Sequence, residues 1–323
     1  MDITLSNSVR GADRTVQGIA CGVGAGALWG LVFLAPALVY SFTPLELAIG
    51  RYLAYGALAA ILVMPRWGGA IPLLTGRDWL SLVCLSLAGN TLYYILLATA
   101  VQRGGIAMTS LIIGFLPVTV TVIGSRDRGA IPLRKLAPSL MLCVGGVFCI
   151  SWQALTGGTS TSQGTSLIAL LCAVGALVSW TSFAIGNSRC LVRLNHVSAH
   201  DWNLLNGLVT GVQALALIPL AIYWGALRHG AADWGQFAGV SIAVALLASI
   251  LGNALWNRMS RLLPLTLSGQ MILFETLFAL LYGFVWTQRM PTASEAVAFL
   301  LLIAGVTSCL RAHRRPAAKG NDV

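Results

Sequence analysis

The sequence predicts an all-α polytopic membrane protein, with ten transmembrane helices in two inverted five-helix repeats around a central cavity. Three observations predict it. Hydrophobic residues make up 57% of the 323-residue chain and charged residues 9%, with a mean hydropathy of +0.81. Apolar runs of about 20 residues, enough to cross a hydrocarbon core about 30 Å thick, recur from end to end. A short motif occurs twice: Ser86 with Gly89-Asn90-Thr91-Leu92-Tyr93-Tyr94, and Ser249 with Gly252-Asn253-Ala254-Leu255-Trp256-Asn257. One constant displacement carries every position of the first copy onto its counterpart, as Asn90 onto Asn253. Each half also holds five spans. An odd number makes the second half enter the membrane from the opposite side, the inverted arrangement in which secondary transporters place a solute site near the midplane.

The spans are expected at 17–39, 45–64, 79–101, 105–124, 136–153, 165–187, 202–224, 237–259, 264–286 and 295–311. This divides the chain into a first repeat over 1–157 and a second over 158–323. The stretch from Met1 to Val16 carries Asp2, Arg10, Asp13 and Arg14 and reads as a polar tail. Span 1 carries Gly18, Gly22, Gly26 and Gly30 at four-residue spacing, a ridge of small residues suited to close helix contact, with Trp29 beside it. The polar run 156–163 reads as a flexible linker between the halves. Pro132 and Gly146-Val147 match Pro291 and Gly305-Val306, and Asp78-Trp79 echoes Asp233-Trp234 across that linker.

The formal charge of +10 falls mostly in short loops. With the N-terminus inside, Arg51, Arg103, Arg228 and Arg289 lie outside, and all the remaining lysines and arginines lie inside. That bias orients both termini to the cytoplasm and makes the charge a topology signal rather than a nucleic-acid surface. Cys21, Cys84, Cys143, Cys149 and Cys172 lie within apolar runs, and Cys190 and Cys309 at run ends, so no disulfide and no metal site is expected.

On a helix, the Ser, Asn and aromatic residue of each motif copy share one face. Asn90 and Asn253 are either helix-packing hydrogen bonds or polar cavity walls, and their recurrence with the same neighbours marks the halves as copies. Glu275 lies near the centre of span 9, where a charge costs about 2.5–3.5 kcal/mol on insertion scales, so it is expected to face a cavity or a partner. Uninterrupted helical spacing puts Ser268, Met271 and Tyr282 on its face. Glu46 and Arg51 sit at the outer end of span 2, with Arg51 expected to reach outward to the interface and an external gate as the alternative. Trp29, Tyr93, Tyr94, Trp180 and Trp256 lie deep or on the polar stripes and are read as cavity walls able to hold an apolar group or a cation. Trp79, Trp224, Trp234 and Trp286, at span ends, read as interface anchors.

With Trp29-Gly30, the two Gly-Asn-x-Leu-aromatic motifs, Pro117 and the two Gly-Val pairs, the chain from about 17 to 311 resembles the EamA branch of the drug/metabolite transporter superfamily. The resemblance implies two inverted five-helix repeats, a cavity lined by spans 1, 3, 4, 6, 8 and 9, and export of amino acids or related metabolites, in some members drugs. Members often carry a Gly-Glu pair after spans 4 and 9; this chain has Ser125-Arg126 and Gln288-Arg289 there, so no role for that pair transfers.

No Gly-Lys-Ser/Thr phosphate loop is present, which excludes an ATP-driven pump of the P-loop kind. His196, His200, His229 and His313 lie in loops or the tail with no carboxylate cluster beside them, which argues against an embedded enzyme. The expectation is therefore a bacterial inner-membrane exporter of small amphipathic metabolites. It would act on a small-molecule substrate in the lipid bilayer without cofactor or nucleic acid, as a monomer or weak homodimer. The substrate site is expected at Asn90, Tyr93, Asn253, Trp256, Glu275, Ser268, Tyr282, Trp29 and Trp180.

Overall fold

The computed structural model describes residues 2–66, 74–126, 132–156, 163–224, 229–288 and 290–313, and among these every regular element is helical. The helices are α1 (Asp2–Gly30), α2 (Ala35–Leu38), α3 (Pro44–Val63), α4 (Gly76–Ser86), α5 (Leu92–Ile113), α6 (Leu116–Gly124) and α7 (Leu133–Thr156). Then follow α8 (Gln163–Arg193), α9 (Ala199–Tyr223), α10 (Ala231–Val244), α11 (Asn253–Leu262), α12 (Leu265–Met271), α13 (Leu273–Thr287) and α14 (Ala293–His313).

Short polar signals start several of them. Thr43 Oγ1 accepts the Glu46 N–H at 3.2 Å while the Glu46 carboxylate accepts the Thr43 N–H at 2.8 Å, with Pro44 in the first turn of α3. Asp78 accepts the Thr75 N–H at 2.9 Å at the start of α4, and Ser198 accepts the Asp201 N–H at 2.9 Å at the start of α9. Each satisfies backbone donors that a helix start leaves unpaired.

Seven segments are long and apolar enough to cross a membrane: Asp13–Leu38, Pro44–Val63, Gly76–Gly104, Leu167–Arg193, Ala199–Tyr223, Ala231–Leu262 and Leu265–Trp286. The chain is a polytopic helical membrane protein. Residues assigned above to spans 4, 5 and 10 fall on the end of α5 with α6, on α7 and on α14, outside the seven segments.

Two expected boundaries are corrected. The polar tail is not separate from span 1, because α1 is helical from Asp2. The chain does not leave the helix between spans 3 and 4 either: α5 runs on through Gly104 and Gly105, and Gln102, which read as a loop residue, gives its amide to the Phe42 carbonyl at 2.9 Å. The linker expected at 156–163 falls mostly on 157–162, outside the described residues.

Packing follows small residues. Gly18, Gly22, Gly26 and Gly30 of α1 lie against α11, α12 and α13; a methyl group at Gly26 would come within 2.8 Å of the Glu275 amide nitrogen. This ridge does what a small-residue stripe does in a membrane, where close backbone contact replaces the hydrophobic driving force. The pairs α3 with α9, α5 with α8, α7 with α14 and α6 with α12 complete the bundle. Gly56 of α3 and Gly211 of α9 meet directly, each placing a notional Cβ 2.6–2.7 Å from the other's Cα.

Gly211→Val should therefore force the α3–α9 pair apart and lower the melting temperature in detergent, the overpacking cost being about 1–3 kcal/mol. A scanning-fluorimetry midpoint equal to the parent's would refute that contact.

Candidate functional site

Both copies of the repeated motif lie on π-helical turns, one at Leu87–Thr91 and one at Ala245–Gly252. A π turn widens the helix and displaces backbone carbonyls from the regular ladder, and inside a membrane such groups need partners from elsewhere. Side chains of four neighbouring helices add bonds to carbonyls within the two turns. Ser179 of α8 donates to the Ala88 carbonyl at 2.7 Å and Tyr52 of α3 to the Asn90 carbonyl at 3.0 Å. In the second half Trp29 of α1 donates to the Ala248 carbonyl at 3.1 Å and Asn203 of α9 to the Ile250 carbonyl at 3.1 Å.

The motif glycines have a steric reason. A Cβ on Gly89 would lie 2.3 Å from the Phe183 ring, and one on Gly252 would lie 2.8 Å from the Trp29 indole nitrogen. Each glycine makes room for an aromatic side chain brought in by α8 or α1. The motif amides bond across the bundle: Asn90 Nδ2 donates to Asn206 Oδ1 at 2.9 Å and Thr210 Oγ1 at 3.0 Å, and Asn253 Oδ1 accepts from the Trp29 indole at 3.2 Å.

Between the two π turns lies a space of about 20 Å³, room for roughly one water molecule. Trp29, Val32, Arg51, Tyr52, Gly89, Asn90, Tyr93, Trp180, Phe183, Asn253 and Glu275 surround it. Trp29, Trp180 and Trp256 form a cluster with ring centroids 5.3–5.6 Å apart. Two ionisable side chains of opposite type, a carboxyl and a guanidinium, face the space. Glu275, 5% exposed, lies in the first turn of α13, just after the helix breaks at Ile272. Arg51, 7% exposed, donates to Ser249 Oγ at 3.1 Å, and its guanidinium carbon lies 5.1 Å from the Tyr52 ring centroid and 4.6 Å from that of Tyr94.

The structure brings together Trp29, Asn90, Tyr93, Trp180, Asn253 and Glu275 around one space, with Trp256 in the tryptophan cluster at its edge. Three expectations are corrected. Arg51 does not extend outward to the interface; two tyrosine rings and Ser249 hold it in the interior, a better environment for a guanidinium than a lone apolar surface. Glu46 is separate from it, buried in its capping box and 3.1 Å from His229 Nε2, so the two do not form one gate pair. Ser268 and Tyr282 are not around the space: the break between α12 and α13 interrupts the register that aligned Ser268 with Glu275, and the Tyr282 hydroxyl donates to the Ala27 carbonyl at 3.0 Å.

Sequence reasoning missed Val32, Tyr52, Phe183, Asn203 and Asn206. Asn203 and Asn206, two amides one turn apart in an apolar span, were a readable signal; Val32 and Phe183 carry none that sets them apart from other apolar positions.

With this geometry in view, comparison with known proteins is decisive. Residues 16–161 match the EamA-like transporter family. Over 315 residues the chain is 34% identical to the inner membrane protein YtfF of Escherichia coli (strain K12), covering 92% of this chain and 96% of that protein. The chain belongs to the EamA-like transporter family. A solved crystal structure, 14% identical, shares the fold with a TM-score of 0.69 over 91% of this chain and 98% of its own. As an EamA-like transporter, the molecule is a multi-pass membrane protein that acts on a small solute, and the comparisons point to transport rather than catalysis.

Asn203 holds both the Ile250 carbonyl and the Tyr55 hydroxyl, the latter donating to Asn203 Oδ1 at 3.0 Å. Asn203→Ala should cost about 0.5–2 kcal/mol by stripping interhelical hydrogen bonds. Tyr55→Phe, which keeps the Ile250 bond, should cost less. Detergent melting curves rank the two, and the reverse order would show that the carbonyl does not depend on Asn203.

Proposed function

We propose that this EamA-like transporter exports amino acids or related small amphipathic metabolites across a bacterial inner membrane by alternating access. Two inverted five-helix repeats, 1–157 and 158–323, with both termini cytoplasmic, carry the motion. The repeat reading is supported by how the helices pair. Exchanging each expected span with the one five further on turns the contact of α5 with α8 into that of α1 with α11. The same exchange leaves α3 with α9, α6 with α12 and α7 with α14 unchanged. The four bonds to the π-turn carbonyls obey the same exchange, α8 and α3 serving the first turn and α1 and α9 the second.

The observation that carries the substrate class is the pairing of Arg51 and Glu275 around a space walled by Trp29, Tyr93 and Trp180. A zwitterion offers a carboxylate to Arg51 and an ammonium group to Glu275, while aromatic walls accept an apolar side chain and attract the ammonium. Separated opposite charges favour such a solute over one of a single sign. A space of about 20 Å³ is too small for an amino acid, so the present form is closed and has to widen to admit one. Lipophilic cations are the second reading, favoured by Glu275 beside three tryptophans and opposed by Arg51 in the same wall.

The test is uptake and efflux in proteoliposomes with a panel of labelled amino acids, nucleosides and cationic dyes. Zwitterions should move fastest, and transport of dyes alone would replace the proposal by the second reading. Glu275→Gln keeps the shape and removes the charge change, so it should lower transport and flatten any rate change between about pH 5.5 and 8, where a buried Glu can titrate. A packing role predicts normal rates and an unaltered profile. Tyr93→Ala and Trp256→Ala should weaken apparent affinity while leaving membrane insertion intact; parental affinity in both would make them packing residues.

A further inference from the structure

The second motif copy continues into a short helix with a polar inner face. α11 begins beside the central space at Asn253 and ends at Leu262. Asn253, Trp256, Asn257, Ser260 and Arg261 recur at the three- and four-residue spacing that places them on one face. That face is turned inward: Trp256 is 1% exposed and Ser260 4%, and Asn257 is also buried. Ala254, Leu255 and Leu262, half-buried, the buried Met259 and the exposed Arg258 occupy the rest of the circumference. A membrane helix that turns polar residues inward offsets that interior polarity with hydrogen bonds.

Here the bonds are incomplete. Asn257 Oδ1 accepts from Asn187 Nδ2 at 2.9 Å, and an Arg261 guanidinium nitrogen donates to the Leu194 and Val197 carbonyls. The Trp256 indole N–H, the Ser260 hydroxyl and Arg261 Nε are buried without a hydrogen-bond partner. A buried donor left unpaired costs about 1–3 kcal/mol, so three on one helix face indicate groups that find partners in another state of the molecule.

The first motif copy supplies an internal comparison. The displacement that carries Asn90 onto Asn253 carries Leu97 and Ala98 onto Ser260 and Arg261, and both Leu97 and Ala98 are fully buried and apolar. The halves therefore diverge just beyond the shared motif, one continuing polar and the other dry.

The geometry points to the polar face of α11 as the wall of a solute pathway from the central space to the membrane face where α11 ends, closed in this form and wetted when it opens. Trp256, Asn257, Asn187 and Ser260 are its lining, and Arg261, tying α11 to the 194–197 turn, is its closure. The pathway suits a small hydrogen-bonding solute that exchanges the amide and hydroxyl partners in turn. The inference rests on the alternating-access reading, and under the topology proposed above this end is cytoplasmic.

Solvent access to one atom tests it without any need to know the substrate. In the full-length protein in membrane vesicles, first opened to both faces and then sealed, Ser260→Cys and Leu97→Cys are exposed to a membrane-impermeant maleimide. The adduct is quantified on the peptide by mass spectrometry, so the native cysteines remain in place. Thiol alkylation requires thiolate and hence water, so the Ser260→Cys site should react at least about tenfold faster than the Leu97→Cys site. Both should react alike once denatured. Ser260→Ala supplies a stability readout: an unpaired hydroxyl supports nothing, so its removal should leave the melting temperature unchanged or raised. Equal, slow labelling of the two cysteine variants in folded protein, or a lowered melting temperature for Ser260→Ala, overturns the pathway and makes the stripe a packing face. Labelling from the membrane face opposite the C-terminal tail keeps the pathway and refutes the topology. An amino-acid panel that yields no transport leaves the labelling result standing.

Discussion

A backbone carbonyl released inside a membrane has no water to turn to, and that constraint organises this molecule. The turns at Leu87–Thr91 and Ala245–Gly252 widen the helices, and the Ala88, Asn90, Ala248 and Ile250 carbonyls within them each take a donor from outside their own helix. Each is met by a side chain from another helix, so the position of α1, α3, α8 and α9 around the centre is set by hydrogen bonds rather than by apolar contact alone. Apolar packing in lipid is weakly specific because the acyl chains compete for the same surfaces. Directional bonds to these carbonyls supply the specificity that packing lacks.

The same turns prepare the centre for charge. Regular helices crossing at these positions would bring side chains of residues 89 and 252 into the interior; glycine at both admits Phe183 and Trp29 instead. The aromatic rings then form walls around Arg51 and Glu275, whose charges would be costly in an open apolar interior. Arg51 is accommodated by the faces of Tyr52 and Tyr94 and by Ser249. Glu275 occupies a helix start created by the break at Ile272, next to the glycine ridge of α1 that lets the backbones approach. Breaks, glycines and charges are thus one arrangement, each making the others tolerable.

Elsewhere in the bundle the cross-links between helices differ in kind. At the ends of the bundle the links joining first-half and second-half elements are unlike. Arg193 meets the Asp78 carboxylate at 2.6 Å where α8 ends and α4 begins, while Gln236 of α10 donates to the Leu38 carbonyl where α2 ends. Near the start of α3, Phe42 lies over His229 and Phe237 with centroids 4.0 and 4.2 Å away, and Glu46 takes His229 as a partner. An ion pair closes one end and an aromatic stack the other, so related elements are fastened by different chemistry at the two ends.

The sequence by itself determined the class of this protein. Long apolar runs require membrane helices, and a carboxyl deep in an apolar span requires a protected interior. These follow from composition and spacing, which local physics reads directly. It also marked most of the side chains that meet at the centre, because an amide, an indole or a carboxyl in such surroundings is conspicuous. Only the tertiary structure decided how they are used. That Arg51 turns inward, that Ser268 loses register with Glu275 across the Ile272 break, and that α5 continues through Gly104 all depend on partners far away in sequence. The π turns escaped notice for the same reason: the donors that other helices bring to their carbonyls lie far away in sequence, and no local pattern announces them.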